Sequence, residues 1–378
     1  MAGLHHPAAM PLHVIWALLQ SHAERAKHPY TFNTDSPIEQ TFYDEGNTMK
    51  KVLLTSTALV AFAGAASAEV SLSGSAEMGL LGGDGIETQF IQSVDVRFSL
   101  SGETDGGLTF GATIDLDDAV DMSLAGNDPV DVATSTQWAD FTVFISGNFG
   151  TVTMGDTDGA MDWALTEGGN VANPGSIADN ETLHWGYLGS YLDGSYDGQI
   201  LRYDNTFGDF GVALSVELDD TGSLDAGYAV GFKYNANLAG LDLALGLGYQ
   251  AIDENTGRSC VGNICTGEDL ESAVGFSVTT AFDNGLSAGL AYTQFAAVSG
   301  DEDVTHVGVG FGYAMDAFAV HLNYGQYDSD AFADPITGFG LTAAYDLGGG
   351  AAVNLGYAVS DNGTTDTDHW SLGLTMAF

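Results

Sequence analysis

The sequence is poor in positively charged residues: 8 Lys and Arg stand against 51 Asp and Glu, giving a formal net charge of −43. A chain this acidic repels the phosphates of nucleic acids and of anionic lipid head groups, so neither is an expected partner. The composition nevertheless includes 11% aromatic residues, more than acidic disordered chains carry. The expected class is therefore a folded protein that does not bind nucleic acid.

Long apolar runs and catalytic signatures are also scarce. No run of ~18 apolar residues follows residue 69, so no membrane-spanning helix is expected there. The glycines of GVGFGYA (308–314) alternate within a strand pattern with no helix after them, which argues against a phosphate-binding loop. His306, His321 and His369 fall on the strand face that carries other polar residues, as ordinary residues lining a lumen would. We therefore expect no enzyme activity and no required cofactor.

A complete export signal begins at Met49. Two lysines precede the apolar run 52–66, and Ala66-Ser67-Ala68 is a small-residue cleavage site before Glu69. We interpret residues 49–68 as a signal peptide, because the apolar run is too short for a membrane anchor. Residues 1–48 are expected to be a disordered extension from a start codon assigned too early. A cytoplasmic domain of this length is the alternative.

From Glu69 onward, large apolar residues alternate with small or polar ones, the period of a β-strand. Connections rich in Gly, Asp or Asn, such as ETDGGL and FDNGLS, are short and alternate with mostly longer ones. Short turns on one rim and long loops on the other are typical of an outer-membrane barrel. Sixteen strands are predicted, at residues 69–81, 86–104, 108–119, 136–149, 150–157, 198–207, 209–219, 224–237, 241–253, 270–283, 286–299, 304–315, 317–328, 336–347, 350–361 and 366–378.

The two faces of these strands indicate which side meets lipid. One parity is strongly apolar, as in Val212, Leu214, Val216 and Leu218, and the other carries Gly, Ala, Ser, Asn and Thr. The polar face is too poor in Lys and Glu for an ordinary solvent surface. A closed barrel pairs every backbone group in lipid, with apolar residues outside and a wet lumen within. The sequence thus predicts an all-β, 16-stranded antiparallel transmembrane β-barrel over residues 69–378.

The chain resembles a known family at three places: EVSLSGSAEMGL after the signal, FGTVTMGDTDGAMDWA, and the terminal aromatic Phe378. It is similar to the general diffusion porins of Gram-negative bacteria, of the alphaproteobacterial, Rhodobacter-type branch. The resemblance implies an outer-membrane homotrimer for passive diffusion of ions and small hydrophilic solutes. It also implies contacts with outer-membrane lipid and lipopolysaccharide, and a terminal strand that the barrel-assembly machinery recognises. Finally, it implies that the third long loop, residues 158–197, folds inward and narrows the pore; the constriction-loop motif of the enteric branch is missing.

The parity of the charged residues suggests a constriction. Arg97, Arg202 and Lys233 all fall on the inward face. Exclusion of charge from lipid would also place them there. On the functional interpretation they form the basic wall of an eyelet. The candidate acids facing them are Asp156, Asp158, Asp162, Glu167, Asp179 and Glu181. With so few cations, the channel is predicted to prefer cations.

The remaining signals are weaker. Cys260 and Cys265 are the two cysteines of the chain, and in an exported protein a disulfide is expected, with metal binding as the rival. DTDGAMD (156–162) resembles a fragment of a Ca²⁺ loop, so Ca²⁺ is a possible ligand of the acidic loops. The alternative to a porin is a structural, adhesive or receptor barrel that acts through its extracellular loops. An adhesin would be expected to enlarge a different, outward-facing loop.

Overall fold

A computed structural model describes residues 69–116, 139–196, 199–238 and 240–378. The predicted signal peptide, the extension before it and the connection 120–135 lie outside these ranges. Within the described ranges, sixteen strands form one closed antiparallel barrel and two short strands form a separate hairpin. The predicted barrel class and strand number are confirmed. No helix of the described part has the length and apolarity to cross a membrane.

The strand bounds follow the sequence alternation to within about three residues at each described end. The first nine strands all belong to the barrel: β1 Glu69–Gly83, β2 Ile86–Glu103, β3 Thr109–Leu116, β4 Ala139–Gly147, β5 Gly150–Gly155, β6 Ile200–Phe207, β7 Phe210–Glu217, β8 Gly227–Asn237 and β9 Leu241–Ala251. The separate hairpin consists of β10 Cys260–Val261 and β11 Ile264–Cys265. The remaining barrel strands are β12 Leu270–Phe282, β13 Leu286–Ala297, β14 Val304–Met315, β15 Phe318–Asp328, β16 Ile336–Gly348, β17 Ala351–Asp361 and β18 Asp366–Ala377.

Consecutive barrel strands pair with each other, and β18 closes the circle against β1. The closing register pairs Ser75 with Ala377 and Gly83 with His369, and Phe378 exchanges two backbone hydrogen bonds with Gly74. β12 pairs with β9, so the separate hairpin lies outside the ladder. Closure leaves the barrel strands without a free edge, the condition for a sheet in lipid.

Exposure alternates along strands such as β9 and β12–β15, as the sequence pattern predicts. In β9, Leu247 and Tyr249 are exposed, whereas Gly248 and Gln250 are buried. The same contrast holds for exposed Leu322 beside buried His321 and Asn323 on β15. The apolar side chains therefore form the outer surface of the barrel. The buried side chains of the strands, most of them small or polar, belong to the opposite face.

Candidate functional site

The connection between β5 and β6 contains many of the fully buried apolar side chains. We call its described residues, 156–196, the connecting segment. It contains the short helices α1 (Ala160–Ala164) and α2 (Asn180–Leu183), with a 3-10 turn at Glu167–Gly169 between them. Met161, Leu188, Tyr191 and Leu192 have no exposed surface. They pack in one cluster with strand residues such as Phe295 and Tyr327, so the apolar core lies between segment and strands.

Successive parts of the connecting segment contact successive strands around the barrel. The helix α1 packs on β7, β8 and β9, the 3-10 turn on β13, β14 and β15, and α2 on β16, β17 and β18. Ile177 reaches the glycines that pair across the closing strands, Gly79 and Gly373. All these contacts are made with the small-residue face.

Glycine on that face is required by the close approach of the segment backbone. A Cβ built on Gly231, Gly310 or Gly325 would overlap the carbonyl oxygen of Ala160, Gly169 or Gly186, respectively. Only a residue without a side chain leaves room for a backbone at this distance. The glycines of GVGFGYA therefore form part of a seat for the connecting segment.

Buried polar side chains of the strands hold the segment by its backbone. Ring nitrogens donate to segment carbonyls, His306 Nε2 to Gly186 O at 2.9 Å and His321 Nδ1 to Val171 O at 2.8 Å. Asn354 Nδ2 donates to Gly175 O at 2.9 Å. Both histidines are almost completely buried, so they are anchors rather than the water-exposed lining expected from their parity. His369 is half-buried at the start of β18.

A third buried histidine, His184, belongs to the segment itself. Its Nε2 lies 2.8 Å from Asn323 Oδ1, and Asn323 Nδ2 donates to Glu181 O. Burial lowers the pKa of His184 to about 4. The ring is therefore neutral at physiological pH and acts as a hydrogen-bonding anchor.

Two of the three predicted wall cations contact the start of the segment. Arg202 Nη1 donates to Asp158 O at 2.7 Å, and its Nε donates to Asp204 Oδ1 at 3.3 Å. Lys233 Nζ lies 4.0 Å from the ring centroid of Trp163, a cation–π contact. The structure thus brings Arg202 and Lys233 together against residues 158–163.

The third cation, Arg97, has a different partner. It pairs across β2 and β3 with Asp115, which accepts a hydrogen bond from Arg97 Nε at 2.8 Å. The two charges are neighbours on one wall. Asp115 and Asp204, which sequence reasoning did not select, thus lie beside the two arginines. The signal for Asp115 was available, since it has the inward parity of a strand facing Arg97.

The six candidate acids occupy different environments. Asp158 has half of its side chain exposed, with a carboxylate oxygen 3.9 Å from Arg202 Nη1. Asp179, which precedes α2, is exposed, and Asp156 and Glu167 are half-buried. Asp162 and Glu181 are buried. The Asp158 carboxylate lies within ion-pair distance of Arg202, one of the predicted wall cations.

The buried acids are held by protein groups. Asn173 and Ser176 donate to the Glu181 carboxyl group, and burial raises its pKa. Burial, followed by the charge of Glu167, raises the pKa of Asp162 well above its ordinary range. These acids therefore contribute less negative charge than a sequence count assigns to them.

Sequence reasoning missed Asp193, which fixes the two ends of the segment to each other. Its carboxyl group accepts hydrogen bonds from Gly159 N and Gln250 Nε2, both at 2.6 Å. It is buried, and burial raises its pKa from about 3.8 to about 7. The available signal was an acid within the apolar run SYLDG, where a solvated loop residue is not expected.

Two further sequence signals are placed by the structure. Cys260 and Cys265 are joined by a disulfide across β10 and β11, in a hairpin that packs on the segment. GLSAG (285–289) matches the GxSxG pattern, but Ser287 is a buried residue near the start of β13 and not on a strand-to-helix turn.

Among the described residues, no three His, Cys, Asp or Glu side chains are grouped to hold a metal ion. Calcium binding by the acidic loops stays a prediction.

Comparison with known proteins gives a consistent result. A family model described as Gram-negative porin matches residues 55–365. A porin of Rhodobacter capsulatus is 30% identical over 312 residues, which cover 79% of this chain and 96% of that protein. A porin structure refined at 1.8 Å superposes with a TM-score of 0.61 at 24% identity, covering 82% of this chain and all of the other. An anion-selective porin from Comamonas acidovorans superposes with a TM-score of 0.56 at 16% identity, with the same coverage. At these identities the two structures establish the fold alone.

Proposed function

The chain belongs to the Gram-negative porin family and forms a channel in the outer membrane, and from this premise we propose that the connecting segment narrows the channel and that the channel prefers cations. Members of this family are channels rather than enzymes. The transported species are then ions and small hydrophilic solutes that diffuse passively. The single observation that carries the proposal is the contact of the segment with one face of most strands of the barrel.

An inward position of the segment follows from the two faces of the sheet. The segment contacts strands from β7 through β18 and reaches β1, always on the small-residue face. The opposite face carries the exposed apolar side chains that suit lipid. A segment that contacts the non-lipid face of strands around a closed barrel occupies its lumen. The free part of the lumen then runs beside the charged residues of β2, β3 and β6.

The charges along this wall favour cations. Arg97 is paired with Asp115, and Arg202 lies between Asp158 and Asp204. Lys233 is covered by Trp163. Acidic side chains thus accompany each arginine, and the chain as a whole is strongly acidic. A negative potential at the mouth raises the local cation concentration and weakens as salt screens it over ~10 Å at 0.1 M.

Reversal potentials in a planar bilayer test the proposal directly. In a salt gradient the purified channel should show cation preference that increases as the ionic strength falls. The expected signature is therefore selectivity at low salt that declines at high salt. Anion selectivity at low salt would contradict the assignment of the charged wall.

We also propose that the channel is a homotrimer, as the family resemblance implies. Gel electrophoresis of unheated and heated outer-membrane protein distinguishes the assemblies, because an intact trimer migrates more slowly than the monomer released by heating. A protein that migrates as a monomer in mild detergent, and gives one conductance step per insertion, would contradict the trimer.

A further inference from the structure

A short hairpin closed by the disulfide lies directly against the connecting segment. We call residues 258–266 the disulfide hairpin; its strands β10 and β11 pair Cys260 with Cys265 and Val261 with Ile264. Val261 has no exposed surface and Ile264 is 6% exposed, although both lie in a long interstrand connection. Their burial against Leu188 and Tyr191 shows that the hairpin is packed into the molecule and is not a free loop.

The tip of the disulfide hairpin binds the middle of the segment. Asn263 Nδ2 donates to Thr182 O at 2.7 Å and to His184 O at 3.0 Å, so one amide satisfies two backbone carbonyls at the end of α2. The neighbouring Gly262 has a φ of +53° and lies against the backbone of Tyr187 and Leu188. Tyr327 of β15 completes the contact, because its hydroxyl group lies 3.0 Å from Tyr187 O and 3.4 Å from Val261 O.

The base of the hairpin binds the end of the segment. The two terminal guanidinium nitrogens of Arg258, Nη2 and Nη1, donate to Asp193 O at 3.3 Å and to Gly194 O at 3.4 Å, respectively. Thr266 closes the base by donating from its backbone N to Ser259 O at 2.8 Å. The hairpin thus bridges two stretches of the segment, residues 182–188 and 193–194.

We propose that the disulfide hairpin is a clamp that fixes the connecting segment, with Asn263 as its positioning residue, and that it thereby sets the width and steadiness of the channel. This inference rests on the proposed function, in which the segment narrows the lumen. Strands of two residues do not hold a hairpin together by themselves. The disulfide restricts the open conformations of the hairpin, so that Asn263 is already in place for the segment.

Single-channel recording tests the clamp in the full-length protein. Asn263→Ala removes both hydrogen bonds, and Asn263→Asp places a carboxylate against two carbonyl oxygens. We expect both variants to increase the time outside the main conductance level about tenfold, equivalent to about 1.4 kcal/mol. The effect should be larger for Asn263→Asp, because like partial charges then face each other. Dithiothreitol added to the wild-type channel should act in the same direction, since the chain has no other cysteines.

Asn255→Ala is the matched control. Asn255 lies in the same connection, but its side chain bonds to Asp253 Oδ1 and is exposed, so its loss should leave the current unchanged. If the Asn263 variants and the reduced channel record like Asn255→Ala, the clamp is refuted while the channel stands. If the wild type gives no conductance at all, the proposed function itself fails. The reduced wild type needs no refolding, so it reports on the clamp even where a variant does not assemble.

Discussion

Asp158 and Arg202 lie side by side where the segment leaves β5, and the Asp158 side chain is half exposed whereas the Arg202 side chain is 11% exposed. Arg202→Gln should increase cation preference, and Asp158→Asn should reduce it. The change in the permeability ratio should be about twofold, because charges in contact with water interact by less than ~1 kcal/mol. Asp162→Asn should change selectivity less, since Asp162 is 9% exposed and its raised pKa favours the neutral form. Reversal potentials of the three variants measure this. An equal shift for Asp162→Asn and Asp158→Asn would show that burial does not decide the contribution of each acid.

Burial of Asp193 makes the stability of the folded connecting segment depend on pH. The pKa of Asp193 is raised from about 3.8 to about 7, so the folded segment binds a proton more tightly than the unfolded chain does. The stabilisation is present at low pH and is lost as pH rises from about 4 through about 7. Hydrogen exchange in the segment, corrected for the intrinsic pH effect, should be faster at pH 8 than at pH 5. Asp193→Asn should flatten this difference, and a variant that retains it in full would assign the dependence to another group.

The strand face that Arg97, Arg202 and Lys233 occupy could be predicted from sequence, because a period of two leaves one choice of face. The groups that these three cations contact could not be predicted from sequence. Asp162 and Asp158 are four residues apart and look alike in sequence, yet one is buried and the other half exposed. The difference arises from the path of the segment, which depends on contacts with strands more than a hundred residues away, such as the bond from Thr166 N to Ser277 Oγ.

At the scale of elements, the barrel strands were predictable because alternation persists over 6 to 18 residues in each. The strands β10 and β11 are two residues long, too short for any period to show. The helices α1 and α2 have five and four residues, and nothing in AMDWA or NETL distinguishes them from a loop. Packing on the strands, rather than helix propensity, accounts for these helices.

A glycine-to-alanine substitution tests whether the connecting segment needs the glycines on which it packs. Gly310→Ala places a Cβ on the carbonyl oxygen of Gly169, so the segment must shift at a cost of roughly 1–3 kcal/mol. The strand itself can keep its pairing, because the atom that is hit belongs to the segment. We expect a folded barrel, judged by heat-dependent electrophoretic mobility, with altered conductance. Gly106→Ala is the control, since its nearest neighbour would lie 3.8 Å away. Loss of the folded barrel in Gly310→Ala alone would mean that the seat supports the sheet as well.

For the whole molecule, cleavage at the predicted site would leave a mature chain that starts within β1. Glu69 pairs with Ser101 in the β1–β2 ladder, so cleavage after Ala68 retains every residue of the described strands. We expect N-terminal sequencing of outer-membrane material to begin at Glu69. Material that retains residues 1–48 would contradict both the signal peptide and the early-start interpretation.

Because β18 closes the barrel against β1, we expect a gene that is truncated before β18 to give no assembled channel. β18 comprises the twelve residues Asp366–Ala377, and it covers the edges of both β17 and β1. A nonsense mutation that deleted it would leave two rows of unpaired N–H and C=O groups in hydrocarbon, each group at a cost of several kcal/mol. Such a chain should be degraded in the periplasm instead of inserting as a narrower pore. Truncating alleles in the final codons should therefore behave as null alleles.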